Sequence, residues 1–147
     1  MSGFVTRWSI GLDRQVSEAE RDPDGYLRAD VLGAWLSEAV ETYLRQCEQL
    51  HRRAEGYELV RRPSRQPRAS LLGRPAEVLV TASATEIRAT EFFVSVRVTP
   101  FRGDEDLPIN ITCRVSIEDP RTGEAIELGD QVREELVAIE RNAEYMA

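Results

Sequence analysis

The chain has 147 residues, 41% of them hydrophobic, and a formal charge of -7, which is enough apolar material for one core in a single domain spanning 1–147. The surplus of carboxylates argues against a protein built to grip a nucleic-acid backbone, because neutralising phosphates needs clustered excess cations. All 19 lysine-plus-arginine positions are arginine, so no lysine is present for a Schiff base or a Walker-type phosphate loop, and one histidine with two separated cysteines does not make a metal site rich in either residue.

No stretch approaches the roughly 18 consecutive apolar residues that a bilayer span needs, and Met1 to Arg14 lacks the apolar block of a signal peptide. A soluble, cytoplasmic protein is expected, with neither membrane nor nucleic acid as partner. Phe4, Thr6, Trp8 and Ile10 alternate with Val5, Arg7 and Ser9, which predicts a first strand ending near Gly11. From Leu32 the apolar positions run Leu32, Trp35, Leu36, Ala39, Val40, Tyr43, Leu44, Cys47 and Leu50, the spacing of one helix of roughly six turns with a broad buried stripe. Asp30 is a suitable N-cap for it, and Gly56 stands where a terminator belongs. Ser37, Glu38, Glu41, Arg45 and Glu48 form its polar face.

Tyr57 to Val60 can make a short strand, and Arg61 to Gly73 reads as a Pro/Ser/Arg loop. Glu77–Arg88, Glu91–Thr99 and Ile109–Glu118 are β-branched and alternating, with turns expected at Arg102-Gly103-Asp104 and at Asp119–Gly123. Val132, Leu136, Val137, Ile139 and Ala143 are spaced as a C-terminal helix. One strand, a long helix and then four strands is an α+β order, which calls for an antiparallel sheet with the helix across one face. Cys47 and Cys113 both lie in apolar periodic segments and are expected to be buried thiols.

The link from first strand to helix carries the chemistry. It reads Glu20-Arg21-Asp22-Pro23-Asp24-Gly25-Tyr26-Leu27, and Trp35-Leu36-Ser37-Glu38-Ala39 follows on the helix. Asp-Pro-Asp-Gly is by itself a common turn, in which Asp accepts local amides and Gly takes a positive φ. In register with the helix, Glu20, Asp22, Gly25, Leu27, Trp35, Leu36, Glu38 and Ala39 resemble the acyl-CoA thioesterases of the 4-hydroxybenzoyl-CoA thioesterase type. That resemblance implies a hot-dog fold, a sheet wrapped around one long helix. It further implies hydrolysis of an acyl-CoA or acyl-carrier-protein thioester, with coenzyme A present only as part of the substrate. It puts a catalytic carboxylate at Asp22, nucleophile or general base, with Gly25 letting the backbone come close. Amides at the helix start would be the oxyanion donors.

Some hot-dog thioesterases use a helix glutamate instead, which makes Glu38 and Glu41 second-choice carboxylates; a solvated role is the ordinary alternative for both. Tyr26, Leu27, Val31 and Trp35 are the candidates to line the acyl site, beside the small Gly33 and Ala34. Arg61, Arg62, Arg65 and Arg68, with Arg74 beyond, concentrate positive charge that could take the phosphates of coenzyme A or the acidic face of a carrier protein. The resemblance also implies a homodimer or homotetramer with sites completed across subunits. Tyr26, Arg28 and Ala29 stand where many members carry His and Asn. The second reading is therefore a hot-dog protein that binds an acyl or polyketide-like ligand, or serves as an assembly partner, without catalysis. A dehydratase of this fold would need a histidine near the helix start, and His51 lies toward the other end.

Overall fold

The computed structural model describes residues 10–145, so Phe4, Thr6 and Trp8 of the expected first strand lie outside the described residues. In chain order the elements are β1 (Ile10–Gln15), α1 (Ala29–Arg45), α2 (Glu48–Arg53), β2 (Glu58–Pro63), β3 (Gly73–Ile87), β4 (Glu91–Glu105), β5 (Ile109–Glu118) and α3 (Asp130–Tyr145). The strands form one antiparallel sheet in the order β1-β3-β4-β5-β2. Its edges are therefore the two strands that flank the helices in sequence. No helix among the described residues is long and apolar enough to cross a membrane.

α1 lies across one face of this sheet. Leu32, Trp35, Leu36, Ala39, Val40, Tyr43 and Leu44 make its buried stripe, packed against inward residues such as Val78, Val80, Phe92, Val94 and Val115. Side chains of this size, fully enclosed, each stabilise the fold by roughly 1.5–3 kcal/mol. α1 packs against β1, β3 and β4. Leu128, Val132 and Leu136 at the start of α3 join the same core. Both cysteines are buried free thiols, as their apolar settings suggested.

The long helix is broken. Its apolar stripe does continue through Cys47 and Leu50, both buried, but the backbone leaves helical geometry at Cys47, where φ is -91° and ψ 74°. Two side chains, one of α2 itself and one of α3, hold the break. The Glu135 carboxylate of α3 accepts the Gln49 amide at 3.0 Å and the Leu50 amide at 3.4 Å, serving as the N-terminal cap of α2. His51 Nε2 meets the Leu44 carbonyl at 2.9 Å, which also accepts the Cys47 amide at 3.0 Å as the helix ends. Beside them the Tyr43 hydroxyl donates to Glu140 Oε2 at 2.5 Å. Burial, reinforced by Glu140, raises the Tyr43 phenol above its ordinary range, and burial beside Glu135 pushes the Cys47 thiol up to about 12.

Other boundaries also differ from expectation. The residue flanking the start of α1 is Arg28, not Asp30; the Asp30 carboxylate is taken bidentately by the Arg28 guanidinium at 3.1 and 2.6 Å and so cannot cap. β1 passes through Gly11 to Gln15, paired throughout with β3. β2 runs on through Arg61 and Arg62 to Pro63 where a loop was expected. Arg102-Gly103-Asp104 stays inside β4, opposite the start of β3. Gly103 is needed there for space, since a Cβ would lie 2.7 Å from the Arg74 carbonyl.

Replacing Glu135 with Ala removes the cap of α2 and is expected to cost about 1 kcal/mol. A lower midpoint in urea unfolding, with α3 retained by circular dichroism, is the result that checks it; an unchanged midpoint would show that Glu135 caps nothing of consequence.

Candidate functional site

The segment before α1 closes into a tight loop. Arg21 bridges to Leu27, and the Arg28 amide donates to the Glu20 carbonyl at 2.9 Å, so the loop returns to the residue that flanks the helix start. Within it Asp22 Oδ1 accepts the amides of Asp24 at 2.9 Å and Tyr26 at 3.0 Å. Gly25 has φ +90°. The turn chemistry of Asp-Pro-Asp-Gly is thus realised, but it uses one carboxylate oxygen only: among the described residues Asp22 Oδ2 accepts no hydrogen bond.

Two arginines tie this loop to the sheet. Arg21 donates to the Gly25 and Pro75 carbonyls at 3.0 and 2.9 Å. Arg74 donates to the Asp24 carbonyl at 2.9 Å and lies over the Tyr26 ring, 4.4 Å from its centroid. Just beyond, α1 begins without any side-chain cap from Arg28. The first-turn amides of a helix have no acceptor within it, and they carry the positive end of its dipole.

The two helix glutamates are not equivalent. Glu38 pairs with Arg14 of β1, whereas Glu41 pairs with Arg61 of β2, with a second contact from Arg61 Nη2 at 3.1 Å. α1 is thereby held at both edges of the sheet. On the β2 side a cavity of about 160 Å³ opens between helix and strand, lined by Gly33, Ser37 and Glu41 of α1 and by Arg61, Ser64 and Gln66, over Leu36, Val40, Ile111 and Cys113. Burial raises the Cys113 thiol above its ordinary range. Gln66 Nε2 donates to the Ala29 carbonyl at 3.0 Å and so links the cavity to the first turn of α1.

Asp22, Gly25 and Tyr26 therefore share one loop, and Glu41 with Arg61 shares the cavity, while Glu38 stands apart on the β1 side. Leu27 and Trp35 are core residues, 2% and 7% exposed, and Val31 packs partly buried against the same core. The arginines expected in one basic loop are dispersed. Arg61 and Arg62 are neighbours in a strand and so point to opposite faces of the sheet. Arg62 meets Glu118 bidentately on the outer face, one contact being 3.0 Å; Arg65 and Arg68 are exposed in the following loop. Sequence reasoning missed Ser64, Gln66 and Cys113. Nothing in their spacing marks them, because strand pairing and the crossing loop bring them to the helix. Among the described residues no three His, Cys, Asp or Glu side chains stand together as metal ligands.

No protein-family model matches the chain, nor does any curated protein sequence. Solved structures do. A thioesterase from Thermus thermophilus, complexed with coenzyme A and zinc, is 14% identical over 91% of this chain and 96% of its own, at a TM-score of 0.58. The 4-hydroxybenzoyl-CoA thioesterase of a Pseudomonas species is 19% identical over 86% of this chain and 97% of its own, at 0.58. The 12:0-ACP thioesterase of Umbellularia californica is 15% identical over 88% of this chain but only 53% of its own, at 0.64. The chain has the hot-dog fold that these thioesterases share.

The Arg62–Glu118 pair makes stability depend on acidity. Hydrogen bonds from Arg62, then from Ser116, hold the Glu118 carboxyl down to about 2, from an ordinary value of 4.5. A group depressed in the folded state stabilises fully above its unfolded pKa and loses that contribution as pH falls toward the folded value. Stability of the native chain is expected to drop between pH 4.5 and 2, and Glu118→Gln should flatten that stretch of a Tm-against-pH curve; parallel curves for the two proteins would refute the assignment.

Proposed function

We propose that this protein hydrolyses an acyl thioester carried by coenzyme A or by an acyl carrier protein, working as a homo-oligomer. In this reading Asp22 Oδ2 either attacks the thioester carbonyl carbon or takes a proton from the water that does. The carbonyl oxygen becomes an oxyanion facing amides in the first turn of α1. Collapse of that intermediate breaks the carbon–sulfur bond: where Asp22 is the base, the proton it took from water passes to the departing thiolate, and where it is the nucleophile, water then hydrolyses the acyl–aspartate anhydride and restores the carboxylate. Donors held ready for the oxyanion contribute roughly 10²–10³ in rate apiece, because they need no reorganisation as charge develops.

The observation that carries the reading is the division of labour in one carboxylate at the helix entrance. Oδ1 is committed to the turn, which fixes the side chain, and Oδ2 is left free of partners among the described residues. Support also comes from the lack of a side-chain cap on α1 and from the fold shared with thioesterases that act on coenzyme A and carrier-protein esters. Arg65 and Arg68, exposed in the loop after β2, are the arginines this reading leaves for a carrier's phosphates; Arg61 and Arg62 are engaged by carboxylates.

Asp22→Asn separates chemistry from folding. An Asn Oδ1 can keep both turn hydrogen bonds while the second oxygen becomes an amide nitrogen, so the melting temperature should hold while thiol release from an acyl-CoA panel falls by about 10² or more. Undiminished release would remove Asp22 from the mechanism. A second reading, binding without hydrolysis, draws on the use of Asp22 as a turn residue; there the same panel raises the melting temperature of the unaltered protein and releases no thiol.

A further inference from the structure

We infer that Arg21 is a positioning residue: its guanidinium bridges the Asp22 loop to the projecting end of the sheet and so fixes where Asp22 Oδ2 stands before the first turn of α1. The inference rests on the acyl-thioester reading above and adds to it the side chain that holds the reacting carboxylate in place.

The loop is mounted on a projection. β1 reaches only as far as Glu77 of β3, and β5 begins opposite Val98 of β4. The paired residues Gly73 to Pro75 and Gly103 to Glu105 therefore run on beyond both neighbours as a two-stranded arm. Gly103 lets the two strands of that arm approach, because a Cβ there would lie 2.7 Å from the Arg74 carbonyl and 2.9 Å from the Ala76 amide. The chain leaving β1 is brought to the arm by the Val16 amide, which donates to the Ala76 carbonyl at 2.9 Å. Arg21 then joins all three segments. Its Nη1 donates to the Gly25 carbonyl at 3.0 Å, and its Nη2 to the Pro75 carbonyl at 2.9 Å and the Val16 carbonyl at 3.5 Å.

Inside, the loop is closed on itself. The Asp22 amide donates to the Tyr26 carbonyl at 2.7 Å and the Gly25 amide to the Asp22 carbonyl at 3.0 Å, so these bonds survive a tilt of the loop as a unit. Its base is anchored where Arg21 bridges to Leu27, a core residue. The tip, Asp24 and Gly25, is held to the sheet by arginines: Arg21 at the Gly25 carbonyl and, on the outer side, Arg74 at the Asp24 carbonyl. Asp22 lies between base and tip, so a tilt at the base moves its carboxylate relative to α1. Removing Arg21 permits that tilt, while Arg74 and the internal bonds keep the loop folded. Both terminal nitrogens of Arg21 are spent on carbonyls of the chain itself, so it acts on the reaction through Asp22 and not on the substrate.

The test measures thiol release from the acyl-CoA panel by the unaltered protein, Arg21→Ala, Asp22→Asn and the double variant. Arg21→Ala should lower kcat by about 10- to 100-fold, the range that a misplacement of about 1 Å produces, and leave KM nearly unchanged. In the Asp22→Asn background the same substitution should have no further effect, because the group it positions is already gone. A residue that served stability alone would lower the rate by the same factor in both backgrounds. Methylguanidinium added to Arg21→Ala should restore kcat, whereas methylammonium should not, since only a planar fork spans two carbonyls. Arg21→Lys keeps the charge and most of the stem and covers the case in which Arg21→Ala does not fold; it should show the same loss in kcat at a nearly unchanged melting temperature. Full kcat in a folded Arg21 variant, or equal losses with and without Asp22, would overturn the inference while the hydrolysis reading stands. Absence of thiol release from the unaltered protein ends both.

Discussion

Everything in this molecule depends on burying one helix that has no second layer of helices to cover its far side. The apolar stripe from Leu32 to Leu44 takes most of its cover from one sheet, with α3 reaching it at Tyr43. A sheet of five twisted strands can do this by curving until its edges approach the helix from both sides. The inward position nearest the helix on each edge is then half wet, and an aliphatic side chain there would face water. Both edges solve this with arginine. Arg14 of β1 and Arg61 of β2 each reach a glutamate on the outward flank of α1, with the aliphatic stem against the core and the charged head in solvent.

That solution explains which parts of the architecture were legible. Where strands lie in the middle of the sheet, inward positions are uniformly apolar, as in Phe92, Val94, Val96 and Val98, and Ile109–Glu118 could be bounded to the residue from alternation alone. At the edges the alternation is spoiled by the arginines that do the closing. β1 consequently seemed to stop at Gly11 and β2 at Val60, although the backbone pairing of both continues. Reading Arg61 and Arg62 as one loop patch was the same error in electrostatic form: once the segment is a strand, adjacent charges belong to opposite faces and serve different partners.

The broken helix was illegible for a different reason. Hydrophobic spacing reports which side chains are buried, and it is unbroken through Cys47 and Leu50 because both remain in the core. The break is held by side-chain partners for the backbone on either side of it. Those come from His51, seven residues on, and from Glu135, 86 residues away. A cap contributed by another helix leaves no local trace, and α2 is consequently tied to the docking of α3. The turn at Asp22 to Gly25, by contrast, was readable because it is local: the amides that Asp22 accepts lie within four residues of it.

The same geometry joins the edge contact to strand pairing at Glu41, the carboxylate on the β2 flank of α1 that Arg61 meets. The ion pair cannot move along the helix unless the register of β2 on β5 moves with it, and a slip of one residue would turn Arg61 to the outer face and bring Arg62, the partner of Glu118, inward. The position of Glu41 on α1 is therefore coupled to sheet register through the same edge contact that keeps the helix covered.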